Sequence, residues 1–327
     1  MKILNSAQVK EVDAFTIENE PIHSINLMER AARQITRWLS REFGPCMGIH
    51  VFVGPGNNGG DGLAVARQMA EMSFIVTVYL VKISDKLSPD ATTNLERLKS
   101  QKKVRIHTIE DNNHFPTIGK GEMVIDGLFG SGLNRPLDGL PADLIQYLNG
   151  CEATRIAIDI PSGLFGEDNT HNNDESIFRA HHTLTFQFPA ISFFMPENHL
   201  FTGRWHVLPI GLNERKIAEM DSPYFLITKD WVHQHLKTRH RFDHKGRYGH
   251  ILLISGGYGK MGAAVLAARA ALKSGSGLVT AHIPKVGYEI MQTALPEAMI
   301  SLDNSDTVFS NLPGKDHFDT VGAGPGL

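Results

Sequence analysis

The chain has 327 residues, of which 42% are hydrophobic and 20% charged, a composition typical of a globular protein that buries a full core. The net charge of −3 gives no support for a nucleic-acid-binding surface or a polybasic membrane patch. A membrane span needs about 18 consecutive apolar residues, and no apolar run approaches that length. The N-terminal residues show no signal-peptide pattern. Because the only cysteines, Cys46 and Cys151, form no disulfide framework, we expect a protein of the reducing cytoplasm.

Short apolar strands alternate with helices along the first part of the chain. Two helices are predicted first, over residues 6–20 and 24–42, with Ser6 and Ser24 as N-cap residues. The predicted strands then lie at 48–53, 74–81, 104–107, 122–126, 155–160, 181–188 and 205–208. The predicted helices between them lie at 62–72, 88–100 and 138–149. This alternation is typical of βαβ units and predicts an α/β fold with a mainly parallel sheet.

A second alternation follows a charged stretch at residues 213–223, where we place a domain boundary. The predicted elements beyond it are strands at 224–227, 249–255 and 276–283 and helices at 231–237 and 263–274. The last residues, VGAGPGL, read as a strand that runs into a glycine turn. The sequence therefore predicts a first domain over residues 1–215 and a second over 223–327.

Three glycine- or proline-rich loops follow predicted strands of the first domain, and each carries an acid. They span residues 54–62 with Asp61, 124–136 with Asp126, and 156–163 with Asp159. The carboxyl ends of parallel strands meet at one edge of the sheet, where ligands bind at the point at which the strand order reverses. We therefore expect these loops to form one site. Tight turns and helix caps alone do not explain three loops that each carry an acid.

Two common interpretations of the glycine-rich loop at 54–62, a dinucleotide-binding loop and a P-loop, each fail at a specific residue. GPGNNG fits the dinucleotide pattern, but the end of the next strand, YLVKIS, lacks the acid that would hold a ribose. A phosphate-binding P-loop would need Gly-Lys-Ser/Thr, whereas Gly60 is followed by Asp61. Two alternatives remain for the acids. They bind a hard cation together with the Asn58 amide and the Ser162 hydroxyl, or they accept or move protons of a substrate hydroxyl.

Four segments of the first domain together resemble one enzyme family. NNGGDG at 57–62, IDGLFGSGL at 125–133, IDIPSG at 158–163 and LMERAA at 27–32 are similar to the NAD(P)H-hydrate epimerase domain. In the second domain, HKGRYGHILLISGG at 244–257 and GAAVLAARAALKSGSGLVT at 262–280 resemble the opening of the ADP-dependent NAD(P)H-hydrate dehydratase domain. The resemblance implies a Rossmann-like doubly wound sheet, followed by the first part of a ribokinase-like α/β domain.

The resemblance also implies a repair function. The epimerase interconverts the R and S forms of NADH or NADPH hydrated at C6 of the nicotinamide ring, so that an S-specific dehydratase can use both. By resemblance, Asp159 contacts the substrate, and Asn58, Asp126 and Ser162 hold a potassium ion. Our own mechanistic hypothesis is that Asp159 is the acid/base. The other substrate-binding residues that it implies are Asn57, Asn58, Gly59, Gly60, Asp61, Gly130, Ser131, Gly132, Leu133, Asn134, Arg135, Pro136, Ala264 and Gly326. A homo-oligomer is expected.

The second domain departs from the family, because residues 301–327 contain no Asn-x-Gly-Asp-type motif. We therefore expect no dehydratase activity from this chain, and ADP and Mg²⁺ are cofactors only for a complete dehydratase domain. We also expect its partial sheet to be poorly stable alone or covered by another subunit. The alternative to an epimerase is a non-catalytic module that binds a dinucleotide or a protein on the same scaffold.

Overall fold

The computed structural model describes residues 1–20, 22–45, 47–314 and 316–327. The chain forms two compact units, Met1–His233 and Gln234–Leu327. Cys151 carries a free thiol, whereas Cys46 lies outside the described residues. Within the described residues, no helix combines the length and the hydropathy needed to cross a bilayer.

The first unit is built on a sheet of seven parallel strands, which confirms the predicted α/β fold. In chain order the strands are β1 Gly48–Val53, β2 Ile75–Val81, β3 Arg105–Ile109, β4 Met123–Gly127, β5 Thr154–Ile158, β6 His182–Phe186 and β7 Arg204–Leu208. Their order in the sheet is β3-β2-β1-β4-β5-β6-β7. The order reverses between β1 and β4, so the loops after these two strands diverge and leave a crevice at the carboxyl edge.

Helices cover both faces of this sheet. The longer helices of the unit are α1 Ser6–Asn19, α2 Ser24–Glu42, α3 Asn57–Glu71, α4 Pro89–Gln101 and α5 Gly139–Asn149, and the shorter ones are α6 His199–Thr202 and α7 Glu214–Glu219. The division between the two units falls within α8 Lys229–His235. One face packs under α2, α3 and α4, with Ile35, Leu63 and Leu98 fully buried. The opposite face packs under α5, where Leu144 and Ile145 are buried.

The predicted first two helices form, but their caps differ from the prediction. Asn5 caps α1 in a capping box, in which its side chain accepts from the Gln8 N–H and the Gln8 side chain accepts from the Asn5 N–H. His23 is the cap residue of α2 without a side-chain hydrogen bond. The predicted caps Ser6 and Ser24 are therefore wrong by one residue, because both already have helical geometry.

Helix α3 begins at Asn57, five residues before the prediction, so residues 57–62 form its first turns rather than a loop. Gly56 precedes the helix with no side-chain cap, which also excludes Asp61 as the N-cap. The glycines are needed for close packing. A Cβ at Gly59 would lie 1.9 Å from the Gly54 carbonyl oxygen, and one at Gly62 would lie 2.8 Å from Val53 Cγ1.

Residues 224–226 belong to the first unit. The Ile3 N–H donates to Tyr224 O at 3.0 Å, and the Leu226 N–H donates to Met1 O at 2.8 Å. The predicted strand at 224–227 is thus only an isolated antiparallel bridge between Lys2 and Phe225. The compact units consequently divide near residue 233 rather than near 220, because this pairing joins positions that are far apart in the chain.

The second unit has its own parallel sheet. Its strands are β8 His250–Ile254, β9 Leu278–Ile283, β10 Met299–Leu302 and β11 Thr320–Ala323, in the order β10-β9-β8-β11, and its helices are α9 Met261–Ser274 and α10 Tyr288–Ala294. The core contains Ala264, Ala268 and Val279, all nearly inaccessible. Apolar side chains also remain on the surface, such as Leu266, which is 67% exposed.

Candidate active site

A cavity of about 530 Å³ opens at the carboxyl edge of the first sheet, beside the point where the strand order reverses. It lies where the loops after β1, β4 and β5 meet the start of α3. Helix α1 and the last residue of β6, Phe186, complete the wall. The lining residues are Lys10, Asp13, Pro55, Gly56, Asn57, Asn58, Asp61, Leu128, Phe129, Gly130, Ser131, Gly132, Leu133, Asp159 and Phe186.

The structure brings together eight of the candidate residues on this wall and leaves others away from it. Asn57, Asn58, Asp61, Asp159 and the segment 130–133 line the cavity. Gly59 and Gly60 are buried beneath it in α3. Asn134, Arg135 and Pro136 continue the second loop as exposed residues and do not line the cavity.

Ala264 and Gly326 lie in the second unit, and both adjoin its glycine turn. A Cβ built at Gly256 would lie 3.0 Å from the Ala264 Cβ, and the Gly256 N–H donates to Pro325 O at 2.9 Å. Gly326 carries a positive φ of 85°, a conformation that favours glycine. Ala264 and Gly326 therefore both lie beside the Gly256 turn of the second unit, and neither lines the cavity of the first unit.

The three candidate cation ligands form one hydrogen-bonded cluster. Asp126, at the end of β4, is 0% exposed, and its Oδ1 accepts from Ser162 Oγ at 2.6 Å. Asp126 Oδ2 accepts from the Ser162 N–H at 2.8 Å. The carbonyl oxygen of Phe129 accepts from Asn58 Nδ2 at 2.7 Å and from Ser162 Oγ at 3.2 Å. Asn58 and Ser162 thus meet at the Phe129 carbonyl, and Ser162 links that carbonyl to Asp126.

The Asp126 carboxyl has hydrogen bonds but no cationic partner among the described residues. Burial raises its pKa to about 6, although the bonds from Ser162 and Leu128 oppose that rise. No group of three or more His, Cys, Asp or Glu side chains suited to a metal occurs in the described part of the chain. Any cation here would instead use one carboxylate with amide, hydroxyl and carbonyl oxygens, the donor set that hard cations prefer.

Asp159 follows β5 directly and has an unusual backbone. Its φ is +63°, a left-handed conformation that costs a non-glycine residue about 1–3 kcal/mol. The bond from its N–H to Leu184 O at 2.9 Å holds that conformation in place. Its Oδ1 has only long contacts, at 3.4 Å from Thr185 Oγ1 and 3.5 Å from the Phe186 N–H. Burial raises the pKa of this weakly bonded carboxyl.

Two further acids face the same cavity. Burial raises the pKa of Asp61 well above its usual range, and the negative charges of Asp159, Asp13 and Asp90 add to the effect. Burial together with the charge of Asp159 raises the pKa of Asp13 to about 7. Asp61 therefore has other carboxyl groups as its electrostatic neighbours, and it lies one turn inside α3 rather than at the helix start that would meet a phosphate.

Sequence reasoning missed Lys10, Asp13 and Phe186. The two α1 residues were overlooked because α1 precedes the βαβ units, and the loop rule concerns only residues that follow strands. A signal was present in the spacing, because Val9, Asp13 and Ile17 recur every four residues and so share one helix face. An acid between two apolar residues of a buried face calls for an explanation.

A second cavity of about 390 Å³ adjoins the first. The two share Lys10, Asp13, Asn57, Asp61 and Phe186. The rest of its wall is mostly apolar, and its lining adds Ala14, Ile17, Ser24, Leu27, Met28, Ala31, Asp90 and Ile210. The acids Asp13 and Asp61 thus line both cavities.

Known proteins resemble the chain over both units. Residues 24–191 match the family described as YjeF-related protein N-terminus. The bifunctional NAD(P)H-hydrate repair enzyme Nnr of Moorella thermoacetica is 32% identical over 342 residues, covering 100% of this chain and 64% of that protein. The NAD(P)H-hydrate epimerase of Rhodopirellula baltica is 32% identical over 205 residues, covering 63% of this chain and 82% of that protein.

The fold also has a solved counterpart. The crystal structure of yeast ynu0 is similar with a TM-score of 0.55 and 18% sequence identity, covering 71% of this chain and 98% of the yeast chain. At that identity the likeness concerns the fold alone. The chain spans 64% of the length of the Moorella protein and 63% of the Nnr protein of Thermofilum pendens, so each of these relatives is longer than the chain.

Proposed function

Because the chain belongs to the family of YjeF-related protein N-termini, we propose that the cavity of the first unit is the active site of an NAD(P)H-hydrate epimerase. The observation that carries the proposal is the convergence of Asn57, Asp61, Asp159 and the 130–133 loop on one cavity. The name of the Rhodopirellula relative supports the reaction. The substrate is NADH or NADPH carrying a hydroxyl at C6 of its reduced ring.

The start of α3 provides a place for the phosphate groups of this substrate. The N–H groups of the first helical turn have no partners within the helix, and the helix dipole favours an anion there. Gly56, Asn57 and Asn58, which begin that turn, line the cavity. Lys10 supplies a cation beside the loop opposite, since a Cβ at Gly132 would lie 3.6 Å from its Nζ.

We assign the acid/base role to Asp159. The hydroxyl at C6 leaves more readily when its oxygen is protonated, and the ring nitrogen then stabilises the carbon with its electron pair. Its raised pKa lets the Asp159 carboxyl group hold a proton to a higher pH than an ordinary aspartate does, and it can donate that proton to the hydroxyl oxygen. Its few hydrogen bonds leave it free to contact the substrate.

We propose that Asn58, Asp126 and Ser162 hold a potassium ion together with the Phe129 carbonyl. A buried carboxylate without a cationic partner supports this, and so does Asn58 Oδ1, to which no described residue donates. The ion would fix the loop after β4 against the start of α3. Replacing potassium by a large organic cation such as tetramethylammonium should therefore lower the epimerisation rate, and Ser162→Ala should weaken the response to added potassium.

We further propose that the second unit is the first part of an ADP-dependent NAD(P)H-hydrate dehydratase domain, with Ala264 and Gly326 on its substrate side. The bifunctional names of the relatives aligned over the whole chain support this assignment.

A coupled assay tests the proposed function. The R epimer of hydrated NADH is supplied with an excess of an S-specific dehydratase, and the return of NADH absorbance is followed with and without the chain in potassium buffer. An acceleration that depends on the chain and is lost in Asp159→Asn supports the epimerase. The spontaneous rate alone, with a folded chain, would favour a non-catalytic binding module.

A further inference from the structure

Asp13 is a carboxyl group that the mechanism above does not use. It lies on α1 and lines both cavities of the first unit. Its Oδ1 is buried, and no group in the described part of the chain donates a hydrogen bond to it. A buried oxygen without a donor is costly, typically by about 1–3 kcal/mol. Asp13 therefore lowers the stability of the fold from its place at the cavity wall. Such destabilising groups are common at sites that act on a ligand.

The charged groups around Asp13 are mostly acids. Among the described residues, Lys10 is the only basic one that lines either cavity. Facing Asp13 from other elements are Asp61 on α3, Asp159 after β5 and Asp90 on α4. Burial and the charge of Asp159 raise the pKa of Asp13 to about 7. Near neutral pH one of the neighbouring carboxyl groups can then hold a proton while another is ionised.

Inversion at C6 requires chemistry on both faces of the ring. The hydroxyl leaves from one face, and the water that restores it must add to the other. One carboxyl group fixed on one wall serves one face, unless the ring turns over within the site. Asp13 and Asp159 come from different elements, α1 and the segment after β5, yet their charges interact and both line the same cavity.

We propose that Asp13 is a second catalytic acid/base of this site, which works with Asp159 so that each carboxyl group serves one face of the ring. The inference rests on the proposed epimerase function. It assigns a chemical role to a side chain that lies outside the three strand-end loops.

The proposed step balances in atoms and electrons. Asp159 gives its proton to the C6 hydroxyl, the C6–O bond breaks with its electron pair on oxygen, and water leaves as the ring nitrogen forms a double bond to C6. Water then adds to the opposite face of C6, the double-bond electrons return to nitrogen, and a proton of that water passes to Asp13. A proton has moved from Asp159 to Asp13, nothing is oxidised or reduced, and turnover of the other epimer or exchange with solvent restores the starting state.

The test compares Asp13→Asn, Asp13→Ala and Asp159→Asn with the wild-type chain and with the exposed-acid control Asp85→Asn. Epimerisation is measured from pH 5 to 9, with a thermal melt of each variant. We expect the wild-type kcat to depend on pH through two ionisations. Asp13→Asn should lose about 100-fold in kcat and one of these ionisations, while melting no lower than the wild type at pH 8. Formate should partly restore Asp13→Ala.

Two results would overturn the inference and leave the proposed function standing. One is an Asp13→Asn variant with the wild-type rate and pH profile beside an inactive Asp159→Asn. The other is an Asp13→Asn variant that is slow but keeps both ionisations, with no formate rescue of Asp13→Ala, because a structural role would produce that combination. A wild-type chain without epimerisation would instead overturn the proposed function itself.

Discussion

Asp303 in the second unit and Asp13 in the first both bury carboxyl oxygens, but their surroundings are opposite. Asp303 is 1% exposed and accepts from the N–H groups of Ser305, Ser310 and Asn311 at 2.8, 2.9 and 3.2 Å. It also accepts from the Ser310 hydroxyl and lies 3.1 Å from His282 Nε2. Asp13 has a buried oxygen to which no described residue donates, and its charged neighbours on other elements are acids.

The difference shows how hydrogen bonds decide what a buried acid does. The donors around Asp303 lower the pKa of its carboxyl and keep it ionised, so it ties the segment 303–311 to β9. At the cavity, burial prevails and the pKa values of Asp13, Asp61 and Asp159 rise. Asp303 is thus a structural group, whereas the cavity acids hold their protons to a higher pH than ordinary aspartates do, and the pKa of Asp13 rises to about 7.

Asp159→Asn should produce the largest effect. An amide keeps the shape of the side chain but cannot exchange a proton, so epimerisation should slow by about 100- to 10,000-fold. The rate in the coupled assay measures this loss. Asp85→Asn, which changes an exposed acid outside the cavity, is the control and should keep the wild-type rate. If Asp159→Asn were fully active, the cavity acids would have no catalytic part.

Asp303→Asn should destabilise the fold more than the substitutions of the cavity acids do. The new NH₂ group would face an N–H donor of Ser310 or Asn311, which should cost about 2–3 kcal/mol. The free energy of unfolding, measured with urea, reports the loss, and the exposed Asp306→Asn serves as control. Because the folded-state pKa lies below the ordinary 3.8, the stabilisation is present above that pH and is lost as the pH falls below it. Equal stability of the two variants would contradict the structural role.

Gly59→Ala should destabilise the start of α3. The new methyl group would lie 1.9 Å from the Gly54 carbonyl oxygen, so the backbone must shift, at about 1–3 kcal/mol. Gly56→Ala is a matched control, since nothing lies within 4 Å of a Cβ there and the φ of −85° suits alanine. If thermal melts gave the same melting temperature for both variants, the packing argument would be disproved.

The smallest expected effect on stability is that of Asp13→Asn, which should change how the free energy of unfolding depends on pH. The folded-state pKa of about 7 exceeds the ordinary 3.8, so between these values the folded chain binds more protons than the unfolded chain. The free energy of unfolding therefore falls as the pH rises through this window. The amide removes this loss, and since one pKa unit corresponds to about 1.4 kcal/mol, the variant should gain at least about 1 kcal/mol over the wild type at pH 8 and nothing at pH 4. An unchanged slope in melts from pH 4 to 8 would contradict the raised pKa.

Much of the first unit follows from sequence patterns because its elements are local. The alternation of strands and helices predicted the parallel sheet, and the strand-end rule found Asp126, Asp159 and Ser162, which the fold places at one edge. The early start of α3 was missed because Asn57 to Gly60 are poor helix formers, and their role depends on close approach to Gly54.

Two other features depend on contacts between distant parts of the chain. Asp13 reaches the cavity only because α1 packs beside the sheet edge, and no local pattern fixes that position. The pairing of residues 1–3 with 224–226 joins the start of the chain to residues beyond the charged stretch at 213–223, a contact that composition does not reveal. Local propensity carries no information about either contact.

The most direct measurement of the central claim is the equilibration of pure epimers by the chain alone. Pure R and pure S hydrates of NADH are incubated separately with the chain in potassium buffer, and chromatography follows the epimer ratio. An epimerase brings both samples to the same ratio, at a rate that rises in proportion to the chain and far exceeds the spontaneous rate. If a folded chain left both samples at the spontaneous rate, the cavity would not be an epimerase site.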